Sequence, residues 1–289
     1  MKKLLKIVAW CLITVVLLVG VAVVVVPAAV DPNDYKDDIA SAVKAATGRD
    51  LHITGDIGLS VFPRIGVNLG EVELGNAPGF EPDYFARTQK VQVSVELMPL
   101  LGREVKIDTV QIEGLDLNLA RDDTGRTNWG DLMASDQEPS TRSGSSAPLA
   151  ALALGGVRLR DARLNWADAF AGQHVAVERI EVQTGPVALN EPLSLSLSFN
   201  VEAIEQALEG HVEVIGDLSY DIANQMVNAN DLVLNASLKS PQIPGGATDI
   251  NFNGDVRFDQ AQQSISLSGF ELLVPTLAFG NTTGSIGLG

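Results

Sequence analysis

Apolar and polar side chains alternate residue by residue over much of this sequence. Residues 91–97, 193–201 and 232–238 each place an apolar side chain at every second position. A period of two is that of a β-strand with one apolar and one polar face. Counting the shorter runs gives about fourteen candidate strands, which would extend a single sheet to roughly 65 Å. The chain must therefore fold mainly as β-sheet.

Five of these segments change parity once. The pattern apolar-x-apolar-x-x-apolar-x-apolar begins at Val67, Val110, Val157, Val175 and Ile265. A β-bulge absorbs one extra residue and keeps both halves of the apolar set on the same face. Hairpin turns between short strands are the alternative. Because bulges bend a sheet, their repetition predicts a long antiparallel sheet that curls around its apolar face.

The N-terminal residues form a separate kind of segment. Residues 7–30 contain no charged side chain, and a helix of this length spans roughly 36 Å, enough to cross a bilayer. Three lysines precede the segment and four aspartates follow it closely. We therefore expect a cytoplasmic tip at 1–6, a transmembrane helix at 7–30 and export of the rest of the chain. The alternative is a cleaved signal peptide, whose apolar region is usually only about 7 to 15 residues long.

A short amphipathic helix is predicted over residues 31–48. Asp31 and Pro32 form an N-terminal capping pattern, and Gly48 ends the helical period. The apolar residues at helical spacing are Tyr35, Ile39, Val43 and Ala46. We expect this stripe to pack against the end of the sheet rather than on the membrane surface, because aspartates crowd the start of the helix.

Residues 134–148 are rich in Ser and polar residues and show no period, so they predict a flexible linker. The linker separates an N-terminal β module at 49–133 from a second β module at 149–289. The apolar faces of these modules need a cover, which could be another sheet, the same sheet or a ligand. The residues alone favour a closed sandwich or barrel over an open groove.

Composition and motifs argue against several functions. A formal charge of -16 opposes binding to nucleic acid. Cys11 is the single cysteine, and His52, His174 and His211 have no acid or nucleophile at a recognisable motif spacing. Residues 122–125 (DDTG) predict a tight turn rather than a calcium loop. We therefore expect a protein that is not an enzyme and that uses no metal or cofactor.

Seven segments resemble the AsmA family of Gram-negative bacteria. They are residues 47–53, 55–63, 74–80, 96–101, 114–122, 125–129 and 156–166. The resemblance includes the N-terminal apolar segment and implies a single-pass inner-membrane protein with a periplasmic body. It also implies a long curled sheet that forms a hydrophobic groove, along which phospholipids move toward the outer membrane. Family members are usually longer, so we expect the second module to be truncated at its C-terminus.

With this fold, the groove would be lined by the apolar faces of the strands. The expected lining residues are Val93, Val95, Leu97, Leu115, Leu117, Leu195, Leu197, Phe199, Val212, Val214, Leu232, Leu234, Phe252, Phe258, Phe270 and Leu272. We expect phospholipid acyl chains and the inner membrane as partners, with outer-membrane or periplasmic proteins as further candidates. The alternative function is an anchored scaffold for outer-membrane protein assembly, with the apolar face buried as a closed core.

Overall fold

The computed structural model describes residues 31–60, 64–96, 107–134, 155–187, 191–221 and 225–274. The predicted cytoplasmic tip, the predicted transmembrane helix and residues 135–148 of the predicted linker lie outside this part of the chain. Within the part that is described, no helix has both the length and the apolar character needed to cross a bilayer.

The described chain opens with a 3₁₀ turn at Pro32–Tyr35, followed by α1 at Lys36–Thr47. The side chain of Asp31 accepts a hydrogen bond from the backbone N–H of Asn33, and Gly48 ends α1 with a φ of 75°. Both predicted caps are therefore confirmed. The expected packing of the apolar stripe is only partly realised, because Tyr35 and Ile39 are 53% and 37% exposed although α1 contacts the first strand.

In the described part of the chain, fifteen strands form one sheet. They are β1 (Leu51–Ile53), β2 (Ile57–Ser60), β3 (Arg64–Leu69), β4 (Val72–Gly75), β5 (Tyr84–Thr88), β6 (Lys90–Glu96), β7 (Val110–Glu113), β8 (Asp116–Arg121), β9 (Val157–Asp168), β10 (Gln173–Thr184), β11 (Leu193–Ala203), β12 (Leu208–Asp221), β13 (Met226–Lys239), β14 (Ala247–Asp259) and β15 (Ser264–Leu273). A short helix, α2, follows β8 at Gly130–Ala134. The prediction of a mainly β fold is confirmed.

The first eight strands are the halves of four bent ribbons. β1 and β2 pair with β4 and β3, which in turn pair with β5 and β6. The ribbons bend where glycine allows two backbones to approach closely. A Cβ on Gly55 would lie only 2.0 Å from the backbone nitrogen of Glu71, so no other residue fits there.

The sheet is mixed, so the expectation of an antiparallel sheet is wrong at one junction. β9 runs parallel to both β7 and β8. The chain leaves β8 at Arg121 and returns to begin β9 beside the start of β7, which requires a long crossover. This pairing also joins the two predicted modules into one continuous sheet.

From β9 to β15 the strands form an antiparallel meander. Bulges interrupt β9 at Asp161, β10 at Arg179 and β15 at Gly269, with φ values of 48°, 50° and 55°. These three predicted bulges are confirmed. The pattern at Val67 instead spans two separate strands, β3 and β4, and the pattern at Val110 spans β7 and β8.

Bulges in the long strands are supported by carboxylates on the neighbouring strand. The backbone N–H of Asp161 donates to Glu181 Oε1 at 3.0 Å, and that of Asp231, a further bulge in β13, donates to Asp255 Oδ1 at 2.9 Å. Each carboxylate thus satisfies a backbone donor that the bulge removes from the ladder. The sheet formed by the described strands is curled and does not close on itself.

Candidate functional site

One face of the sheet carries an unbroken row of large apolar side chains. Residues directly opposite each other on paired strands share a face, so the row can be followed from strand to strand. It takes one residue from each of eleven strands: Ile57, Leu69, Val91, Ile112, Leu159, Val182, Leu197, Val214, Leu234, Phe252 and Leu272. At about 4.8 Å per strand, this first row is about 48 Å long.

A second row runs through β1, β4, β5 and β8 and then crosses β9 to β14 nearer their other ends. Its members in order are Leu51, Leu74, Ala86, Leu117, Leu164, Val177, Val201, Gly210, Leu238 and Thr248. The bulges at Asp161 and Arg179 lie between the two rows on β9 and β10. On each of these strands the two rows are five positions apart, and the one extra residue of the bulge brings both positions onto the same face. We call this surface the apolar face.

The apolar face is only partly shielded from solvent. Among the described residues, Ile57 is the one large apolar side chain classed as buried, and the other buried apolar residues are alanines. Most large side chains of the face are half-buried. Toward β15 the exposure increases, with Leu272 at 51% and Ile265 at 68%. A closed core of this size would bury many Leu, Val and Phe side chains completely.

The described residues predicted to line a groove fall on this face or next to it. Leu197, Val214, Leu234, Phe252 and Leu272 belong to the first row, and Leu117 belongs to the second. By alternation from these rows, the same face holds Val93, Val95, Leu195, Phe199, Val212, Leu232, Phe258 and Phe270. Leu115 immediately precedes β8, and Leu97 lies outside the described residues. Their role in binding lipid stays a prediction.

The β14–β15 end of the apolar face contains an aromatic pair. The rings of Phe252 and Phe270 stack with centroids 6.2 Å apart. Gly254 lies opposite Phe270 with a φ of 151°, and a Cβ there would sit 2.6 Å from the Phe270 backbone. The glycine therefore allows Phe270 to lie close against β14.

The opposite face is polar and charged. A cleft of about 380 Å³ on this face is lined by Arg179, His211 and Lys239 together with several glutamates. His211 Nδ1 lies 2.7 Å from Asn200 Oδ1, and His174 Nδ1 lies 2.7 Å from Glu205 Oε1. The described residues contain no cluster of three metal-ligating side chains. Ile215 and Val233 are paired apolar residues exposed on this polar face.

A buried polar cluster lies along β8 where the pairing with β5 ends, and sequence reasoning assigned it no role. The predicted turn at 122–125 is confirmed by the hydrogen bond from Gly125 N–H to the Asp122 carbonyl at 3.0 Å. Asn128 follows this turn and is 0% exposed. The side-chain oxygen of Asn128 accepts a hydrogen bond from Ala120 N–H at 2.8 Å, and its side-chain nitrogen donates to the Asn118 carbonyl at 2.8 Å. It thereby pairs with the edge of β8 beyond the last β5 partner.

Arg49 connects this cluster to the start of β1. Its buried guanidinium binds both carboxylate oxygens of Asp131, at 2.6 and 3.2 Å, and donates to the Asn128 carbonyl at 2.5 Å. The hydrogen bond from Arg49 holds the pKa of Asp131 below its usual range. The stability that this pair contributes is therefore present above the ordinary carboxyl range and is lost as pH falls through the lowered pKa.

A second ion pair lies next to the apolar face. Arg121 binds Asp168, which is buried, and the guanidinium hydrogen bond lowers the pKa of Asp168. Nearby, the rings of Trp129 and Trp166 lie 5.5 Å apart. Trp129 directly follows Asn128, so the buried cluster also positions an aromatic ring beside the second row.

Comparison with known proteins agrees with the resemblance found in the sequence. The model of the AsmA family matches residues 1–283. Protein AsmA of Escherichia coli (strain K12) is 27% identical over 108 residues, which cover 37% of this chain and 17% of the relative. The match thus spans less than a fifth of that relative's length. No solved structure matches this chain significantly. The family match over nearly the whole chain shows that this protein belongs to the AsmA family.

Proposed function

We propose that this protein is an inner-membrane-anchored periplasmic protein that binds phospholipid acyl chains on its apolar face. It would transfer phospholipid in support of outer-membrane assembly and maintenance, without catalysing a reaction. The observation that carries the proposal is the first row, in which eleven strands present only apolar side chains, all of them except Ile57 incompletely buried. Membership of the AsmA family also supports a role in outer-membrane assembly and maintenance.

The dimensions of the apolar face favour a path over a pocket for one molecule. The hydrocarbon core of a bilayer is about 30 Å thick, so one acyl chain extends about 15 Å. A row of about 48 Å could therefore contact several chains in succession. Because the first row offers no polar group to an incoming lipid, it would hold acyl chains without fixing any one of them.

The decisive experiment is lipid analysis of the exported body. Residues 31–289 would be secreted with a cleavable leader, purified without detergent and extracted for mass spectrometry. We expect at least one phospholipid molecule per protein molecule. A folded protein that carries no phospholipid would contradict the proposal.

The scaffold function is kept as a second candidate because of Ile215 and Val233. These exposed side chains form an apolar spot on the mostly polar face, and exposed apolar patches rimmed by polar residues often mark protein-binding sites. If the scaffold function is correct, Ile215→Asp should release a partner protein, whereas bound lipid should be absent from the parent chain.

Membrane topology provides a prediction that is independent of lipid binding. Because the lysines precede residue 7 and the body is acidic, alkaline phosphatase fused to the C-terminus should be active and should fractionate with the inner membrane. A soluble periplasmic fusion whose N-terminus begins near residue 29 would instead support the signal-peptide alternative.

A further inference from the structure

Helix α1 has an apolar stripe that the other described residues leave exposed. At about 100° per residue, Tyr35, Ile39, Ala42 and Ala46 fall within about 60° of one another around the helix, and all four are exposed. The half-buried residues Ala40, Val43 and Thr47 lie on the adjoining flank. The helix therefore packs on the sheet along one flank, and its exposed stripe lies about 100° around the helix from that contact.

The chain leading into the helix restricts where this stripe can be. The uncharged segment ends at Val30, and the 3₁₀ turn begins at Pro32. Tyr35 is five positions after Val30, so even a fully extended chain would place it no more than about 17 Å beyond the end of the uncharged segment. If residues 7–30 cross a bilayer, Tyr35 is therefore within reach of the headgroup layer, where tyrosine is favoured.

Most charges of the helix project away from the exposed stripe. Asp38 lies at the edge of the stripe, about 40° from Ala42, but Asp34 is about 110° from the centre of the stripe and Asp37 is on the opposite side of the helix. Lys44 is on that side as well, and its ammonium lies 2.5 Å from Asp50 Oδ1. Asp34 and Asp37 can therefore remain in water while the stripe does not, and Asp38 at the edge of the stripe can reach the polar headgroup layer.

The helix is also attached to the start of the first row. The Asn33 side chain accepts from Ile57 N–H at 2.9 Å and donates to the Ile57 carbonyl at 3.4 Å. Ile57 is the first residue of that row. The position of the helix therefore determines the position of the β2 end of the apolar face.

We propose that the exposed stripe lies in the headgroup layer of the bilayer crossed by residues 7–30. Helix α1 then lies flat on the membrane surface and holds the β2 end of the apolar face where acyl chains can leave the bilayer. This inference rests on the anchor in the proposed function. It adds a second membrane contact and an orientation of the sheet relative to the bilayer.

Site-specific labelling of the full chain tests the inference. In a Cys11→Ser background, an environment-sensitive fluorophore would be attached to Ile39→Cys or, as the matched control, to Ser41→Cys, which lies on the opposite side of α1. The proteins would be reconstituted in phosphatidylethanolamine and phosphatidylglycerol vesicles. We expect lipids with a headgroup-level quencher to quench the label at position 39 at least threefold more than the label at 41, with the reverse order for aqueous iodide.

The outcomes separate this inference from the anchor on which it rests. If the full chain fails to float with vesicles, both the anchor and the inference are overturned. If it floats but iodide reaches the two labels equally, the inference alone is overturned. Protection of the label at 39 from iodide without quenching by lipid would mean that protein covers the stripe, which also overturns it.

Discussion

Replacing Leu197 with aspartate is expected to strip bound phospholipid from the protein while the sheet stays folded. Leu197 lies in the middle of the first row, between Val182 and Val214. Its side chain is half-buried, so a carboxylate at this position can reach water when no lipid is bound. An acyl chain that covers the carboxylate would remove that water, at a cost of several kcal/mol.

The two free energies affected by this substitution differ in size. Losing the partial burial of one leucine should lower the free energy of unfolding by about 1 to 2 kcal/mol. A desolvation cost of about 3 kcal/mol on lipid binding corresponds to about a hundredfold loss of affinity. Co-purified phospholipid should therefore fall more than about tenfold, and circular dichroism should still show the β-sheet. Phe199→Asp, on the same face, should behave similarly.

Ser196→Asp is the matched control for this test. Ser196 adjoins Leu197 in β11, but it is exposed and lies on the polar face. This variant adds the same charge to the same strand and should retain its lipid. If Leu197→Asp and Phe199→Asp instead unfold the protein, and the parent chain carries no lipid, the apolar face is a closed core and the scaffold function is favoured.

The regular part of the fold was predictable because it depends on local patterns. Alternation alone identifies the strands, and the parity shift at Val157 and Val175 predicts bulges that the structure contains. Each of these signals involves neighbouring residues on one strand. The shared face of residues such as Leu197 and Leu234 follows from the same alternation once the register is known.

Other features were not predictable because they depend on how distant segments meet. The parallel pairing of β9 with β7 and β8 is determined by a long crossover that has no period. The helix caps were clear in the sequence, but the outward direction of the Tyr35 stripe depends on which flank of α1 contacts β1. Arg49 and Asn128 are separated by 79 positions in the chain and carry no motif that pairs them.

Asn128 is expected to be among the residues most sensitive to substitution in the described part of the chain. Its side-chain amide satisfies two backbone groups of β8 and also donates to Asn76 Oδ1 at 2.9 Å. No water can replace these partners without moving the loop, because Asn128 is 0% exposed. Each buried backbone group left without a partner costs about 1 to 3 kcal/mol.

Asn128→Ala should therefore lower the free energy of unfolding by about 3 kcal/mol or more, measured by urea denaturation of residues 31–289. Asn165→Ala is a suitable control, because the half-buried Asn165 amide donates only to side-chain oxygens of Asp116 and Asn118. Its loss orphans no backbone group and should cost about 1 kcal/mol or less. Equal effects of the two substitutions would show that the Asn128 amide does not stabilise the edge of β8. A much larger effect of Asn128→Ala would support the view that this amide stabilises β8 by bonding the backbone groups that β5 does not reach.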